Sequence, residues 1–185
     1  MATKLGLEER FSTQDGPRTI SFVGWQLGEA DSRPNGEQPA RWTELRLFKT
    51  LGGQYILEKV GCSDVFHNES CPTEPGKPRR GKRWDSLWDA VPEDEADEYT
   101  DLDTIFVPCD KCRPDFEDQP VWVEKDIYST STYSTAAEVL EALYRPDTRN
   151  TASKYLSRVA RSLLDQAIEK DDALREVLSA PVEVD

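Results

Sequence analysis

All four cysteines and the single histidine of this chain fall between Cys62 and Cys112, in the order Cys62, His67, Cys71, Cys109, Cys112. No other feature constrains the fold as much. Two pairs of soft ligands, far apart in the chain, can share one ion only if the backbone brings two turns together. Cys109-x2-Cys112 sets two thiolates on one tight turn, and His67-x3-Cys71 offers a nitrogen and a sulfur from another. The expected site is a structural zinc held by His67, Cys71, Cys109 and Cys112. Cys62, at the end of a predicted strand, is the alternative ligand and would make the shell all-thiolate. Four protein ligands leave no open position, so such a site ties loops together rather than performing chemistry. The competing reading is ordinary thiols packed as small hydrophobes. Against it, Cys109 and Cys112 stand among Asp110, Lys111, Arg113 and Pro114, which is not core composition. A redox role for Cys109-x2-Cys112 calls for the pair to open a helix, and Pro114 with Asp115 fits a turn better.

The stretch reads as an insertion between two halves that can form a core without it. Thr19–Leu27 alternates at period two, as a strand does. A second strand is expected at Arg41–Thr50, with Leu45 and Leu47 on one face and Glu44, Arg46 and Phe48 on the other. Leu51-Gly52-Gly53-Gln54 is a hairpin signal leading into a third strand from Tyr55, at least to Val60. Residues 1–18 read as an irregular arm and 28–40 as a surface loop rich in turn residues. Trp84, Leu87, Trp88 and Val91 recur at helical spacing and predict a two-turn helix stopped by Pro92. Short strands are expected at 104–107 and 121–123, and a loop or edge strand at 128–133. Thr135-Ala-Ala-Glu138 spells a capping box. Beyond it, apolar pairs from Tyr155/Leu156 to Ala167/Ile168 predict a helix capped by Asn150 or Thr151. That helix is either continuous to Pro181 or broken near Asp171.

The fold class expected is therefore α+β: an N-terminal antiparallel β-meander with a zinc-clasped insertion, packed against C-terminal helices. It reads as one domain over 1–185. Its parts are a sheet at 19–66, a charged insertion at 67–112, a strand and loop at 113–133, and helices at 134–180.

The chain carries 36 acidic and 23 basic residues, a net charge of -13, which opposes binding to nucleic acid or anionic membrane by the molecule as a whole. No apolar run is long enough to span a bilayer, and no membrane partner is expected. The first ten residues lack the apolar core of a signal peptide, so a cytoplasmic setting is expected, where thiols stay reduced. The charge is segregated. Lys77–Arg83 is basic and runs into Trp84, so Arg79, Arg80, Arg83, Trp84 and Trp88 are candidate partner contacts. Residues 93–103 are strongly acidic and read as solvated chain. Lys154, Arg158 and Arg161 are spaced to share one helix face, which makes Arg158 and Arg161 further candidates.

Dinucleotide, P-loop, serine-hydrolase and zinc-protease motifs are all missing. The single histidine removes most nucleophile–base pairs. The expected function is a non-enzymatic, zinc-stabilised protein-interaction or regulatory module with a protein partner. Nucleic acid is reachable only through the local basic patches. The alternative is an acidic inhibitor that occupies a nucleic-acid-binding protein, and a third reading is an enzyme using carboxylates or zinc.

Overall fold

A computed structural model of the chain describes residues 7–33, 39–68, 71, 81–91, 106–109, 111–112, 120–147 and 153–179. In chain order its elements are β1 (Glu9–Asp15), β2 (Arg18–Asp31), β3 (Arg41–Thr50), β4 (Tyr55–Ser63), β5 (Val65–Asn68), β6 (Gly81–Trp84), a 3₁₀ turn (Trp88–Ala90), β7 (Val107–Pro108), β8 (Val121–Glu124), β9 (Ile127–Tyr133), α1 (Ala136–Leu143), β10 (Tyr144–Pro146), β11 (Lys154–Leu156), α2 (Arg158–Lys170) and α3 (Asp172–Ser179). The contacts divide the chain into two compact units. One takes Met1–Ser32, Thr43–Val60 and Tyr128–Asp185; the other takes Arg33–Trp42 and Gly61–Ile127.

The expected architecture is present: an antiparallel meander in the order β1-β2-β3-β4-β9, packed against C-terminal helices, with the cysteine/histidine cluster in an insertion. In the first unit Leu27, Leu45, Leu47, Tyr55 and Leu57 from the sheet meet Val139, Val159, Leu163, Leu164 and Leu174 from the helices. Gly28 makes that approach possible. A Cβ there would stand 2.9 Å from the Leu163 carbonyl oxygen, so a larger residue would push α2 off β2. On the opposite face Phe48 packs with Phe11 and Phe22, ring centroids 5.0 and 5.3 Å away. The sheet also curls. Thr130 Oγ1 on β9 donates to the Gln14 carbonyl on β1 (2.7 Å), and the Gly16 amide donates to the Tyr128 carbonyl (3.1 Å), so the two outer strands meet. Glu58, buried on β4, pairs with Arg46 and accepts the Gln14 amide at 3.0 Å.

Four local expectations are corrected. Residues 9–15 are not an irregular arm but strand β1, in register with β2 from Glu9↔Gly24 to Asp15↔Arg18. Gly16, at φ +56, and Pro17 form a two-residue hairpin, and a positive φ is what glycine supplies there. Residues 28–31 belong to β2, which carries a bulge between Gln26 and Gly28. The helix expected over 84–91 is instead the end of β6 followed by a 3₁₀ turn. The Ser86 amide and hydroxyl both donate to Asp89 Oδ2 at 2.9 Å, a local bonding pattern that competes with a helix. Finally, α2 begins at Arg158 behind the N-cap Ser157, while Tyr155 and Leu156 lie in β11. Asn150 and Thr151, read as caps, lie outside the described residues.

The capping box at Thr135 and Glu138 is present in full. The break near Asp171 is present too, and it has a clear cause. Asp171 ends α2 and caps α3, with Oδ1 accepting the Leu174 amide at 3.0 Å. The same buried carboxylate accepts from Tyr55 Oη (3.0 Å) and Lys49 Nζ (2.5 Å), so one side chain pins the helix junction to the sheet. Burial alone would raise the Asp171 pKa. The Lys49 contact, with the Leu174 amide and Tyr55, outweighs burial and holds it below the usual range. Asp171→Asn is expected to cost about 2–3 kcal/mol near neutral pH, the scale of a lost charge-assisted hydrogen bond together with a weakened cap. Because the folded pKa is depressed, that contribution is complete above about pH 4 and is lost as pH falls through the folded value. Melting curves of wild type and variant should differ at pH 7 and converge as the pH is lowered below the usual carboxylate range.

Candidate metal centre

In the second unit, β5, β6, β7 and β8 form a sheet in the order β6-β8-β5-β7. Its small apolar cluster is Phe66, Leu87, Val91, Phe106 and Val121. Each ligand candidate reaches the same point by a specific backbone feature. His67 is carried by β5. The chain turns straight after it, the Cys71 amide bonding the Asn68 carbonyl at 3.0 Å, and this folds Cys71 back toward His67. On the other side, β7 pairs in parallel with β5, Val65↔Val107 and Phe66↔Pro108. The Cys109 amide then bonds the Phe66 carbonyl at 3.0 Å, which sets Cys109 beside His67. The expected Cys-x2-Cys turn closes with the Cys112 amide on the Cys109 carbonyl at 2.8 Å.

The result is four ligand atoms, from His67, Cys71, Cys109 and Cys112, all within 4.8 Å of one another, a group able to hold a metal ion. His67 Nδ1 lies 3.4 Å from Cys71 Sγ, and Cys71 Sγ lies 3.9 Å from Cys109 Sγ. Cys71 is buried; Cys109 and Cys112 are half-buried. None of the four cysteines is in a disulfide. Cys62, buried in β4, is not a member of the cluster.

The outer ring of the imidazole is also organised. His67 Nε2 lies 2.9 Å from Glu124 Oε1. Arg41 forks onto the same carboxylate, Nε to Oε2 at 2.9 Å and Nη2 to Oε1 at 2.6 Å, and Ser63 Oγ donates to Oε2 at 2.7 Å. Burial would raise the Glu124 pKa, but Arg41, Ser63 and His67 outweigh it and bring it down to about 2. Glu124 is therefore ionised and can only accept. Nε2 must carry the proton, and Nδ1 turns its lone pair toward the three sulfurs. For His67, burial pulls the pKa down, and the bonds to Glu124 and then Cys71 leave it raised overall. Burial and the neighbouring thiol of Cys71 push Cys112 up to about 12.

Glu124 was not among the residues singled out from sequence. The signal lies in strand pairing. His67 stands opposite Trp122 in the β5–β8 ladder, so Glu124, two residues on, is its same-face diagonal neighbour. That register cannot be read from either strand alone.

The partner-contact candidates are scattered. Arg79, Arg80 and the acidic run 93–103 lie outside the described residues. Arg83 on β6 pairs with Asp85 at 2.9 Å. Trp84 packs on the small core, with Lys82 Nζ 3.4 Å from its ring centroid. Trp88 is 44% exposed. In the first unit Arg158 donates to the Ser32 carbonyl at 3.0 Å, and Arg161 is exposed on α2. Lys154 does not share their helix face; it lies in β11 and pairs with Glu141.

Comparison with protein-family models, curated proteins and solved structures finds no match to this chain.

A carboxylate behind a ligating histidine fixes the ring and raises its basicity, and removing such a partner costs about 10–100-fold in metal affinity. Glu124→Gln is expected to weaken metal binding by that factor while keeping one ion per chain, as measured by chelator competition. Cys62→Ser is expected to leave affinity unchanged, since Cys62 is outside the cluster.

Proposed function

We propose that this chain is a non-enzymatic, zinc-stabilised protein-interaction or regulatory module. One observation carries the reading: three sulfurs and one imidazole nitrogen, contributed by two turns, converge with a carboxylate locking the histidine tautomer. Zinc at about 2.3 Å from sulfur and about 2.0 Å from nitrogen sets tetrahedral ligand atoms roughly 3.5–3.8 Å apart. The separations of 3.4 and 3.9 Å bracket that spacing. Thiolates and imidazole select zinc over calcium or magnesium, which take oxygen ligands. A site filled by four protein ligands has no position for substrate or activated water, which supports a structural role. Zinc binding displaces the thiol protons that burial otherwise retains, so affinity falls as pH falls.

Three thiolates are durable as ligands in a reducing compartment, in keeping with a cytoplasmic setting. No helix among the described residues is long and apolar enough to cross a membrane. The charged segments between Cys71 and Cys109 support a protein partner as the purpose of the ordered unit.

Protein purified without chelator is expected to carry one zinc per chain by elemental analysis. Cys112→Ser should lose the zinc and melt lower. Occupancy at a thousand times Kd stabilises by about 4 kcal/mol, which is the scale of the expected loss. Wild type that carries no zinc when purified without chelator, and whose melting is unchanged by Cys112→Ser, would sink the zinc reading. The interaction reading is tested separately, by affinity capture with zinc-loaded protein and with protein whose acids at 93–103 are neutralised. Capture of no partner by zinc-loaded protein would count against it, and a partner retained equally by both would leave the acidic run as a plain linker.

A further inference from the structure

The basic residues at 154–161 contribute nothing to the clasp, and the fold gives one of them a different setting. The β10–β11 ribbon pairs Tyr144↔Leu156, Arg145↔Tyr155 and Pro146↔Lys154, and with α2 and α3 it bounds a groove of about 420 Å³ within the first unit. That volume is in the range of small-molecule sites, about 300–1,000 Å³. Leu156, Leu164 and Leu178 supply its apolar lining, and Tyr144 and Tyr155 add two phenol rings. Tyr155 is 45% exposed, so its ring is open to a ligand.

The charged lining is the informative part. Lys154 is already engaged by Glu141. Arg161 and Asp165 line the groove one turn apart on α2, yet among the described residues neither has an ion-pair partner, and they do not pair with each other. An acid placed N-terminal to its base is the favoured order on a helix; here the order is reversed, which weakens the internal pair and leaves both groups available. A simple anion would meet Asp165 unfavourably, and a simple cation would meet Arg161 in the same way. A wholly apolar ligand would leave both without a partner.

We propose that this groove binds a small zwitterion, an α-amino acid with an apolar side chain. Arg161 takes the carboxylate and Asp165 the ammonium group. Both ligand charges sit on one carbon, which suits protein groups one helical turn apart. The side chain lies on the leucines between the tyrosine rings.

Titration of the full chain with L-leucine and L-phenylalanine, followed by calorimetry or amide chemical shifts, tests this. Saturable binding with a Kd below about 1 mM is expected, with shifts confined to β10, β11, α2 and α3. N-acetyl-L-leucine lacks the ammonium group and L-leucinamide lacks the carboxylate. Each should bind at least about tenfold more weakly, the scale of one lost charge-assisted contact. In Arg161→Gln, leucine and leucinamide should bind alike; in Asp165→Asn, leucine and N-acetyl-leucine should bind alike. Both positions are exposed, so unchanged melting temperatures will show that the variants are folded. No saturation by about 10 mM overturns the proposal, as does equal binding of all three leucine compounds. Tight binding of N-acetyl-leucine that depends on Arg161 alone also overturns it, because that result describes a site for carboxylates or peptide C-termini.

Discussion

Glu124 receives a forked pair of bonds from Arg41, a hydroxyl from Ser63 and the imidazole N–H of His67. Each donor sits on a different stretch of the second unit, so the carboxylate sets their relative positions. Ser63 bonds back to the Asp126 carboxylate through its amide, and the Asp64 amide bonds the Ala40 carbonyl. The imidazole orientation therefore depends on a network that continues well behind it. Half-burying a carboxylate is costly unless its lone pairs are filled by good donors. Four bonds from three side chains meet that condition, and a rigid ligand follows from it.

The first unit uses the same device for another purpose. Asp171 is buried at the joint between α2 and α3 and is held by Lys49, Tyr55 and the Leu174 amide. An apolar residue there would fill space equally well, but it would neither cap α3 nor choose a register between helices and sheet. In both units an acid at least half-buried, with a cationic partner, fixes geometry that hydrophobic packing, being non-directional, leaves open.

Much of this was legible in the sequence where one local rule dominates. The alternation of Arg41–Thr50, the hairpin at 51–54 and the Thr135/Glu138 box are each decided within a few residues, and all are present. The convergence of His67, Cys71, Cys109 and Cys112 was one of the readings that ligand chemistry offered, beside buried thiols and a shell completed by Cys62, and the geometry brings those four together. The failures share a cause. Residues 9–15 carry little hydrophobic signal, and become a strand only because β2 offers a partner across the Gly16-Pro17 turn. Trp84, Leu87, Trp88 and Val91 have helical spacing, but the Ser86–Asp89 bonds and pairing of β6 with β8 override it. Glu124 was hidden among 36 acids, and for Asp171 the sequence marks the helix break but not the bonds to Lys49 and Tyr55, which only tertiary pairing supplies.

Among the described residues, the cluster able to hold a metal ion lies in the unit with the smaller apolar cluster. Among the described residues the first core joins fourteen buried side chains from strands and helices, while the second has five. Each buried aliphatic or aromatic side chain contributes about 1.5–3 kcal/mol, while each ordered residue costs roughly 1–2 kcal/mol of backbone entropy. The described strands of this sheet are two to four residues long, and a bound metal would help to order the turns at Cys71 and Cys109–Cys112. A metal ion supplies cohesion that does not scale with apolar area, which is how small domains with thin cores are commonly completed. β5, β7 and Glu124 position the ligand candidates of the cluster.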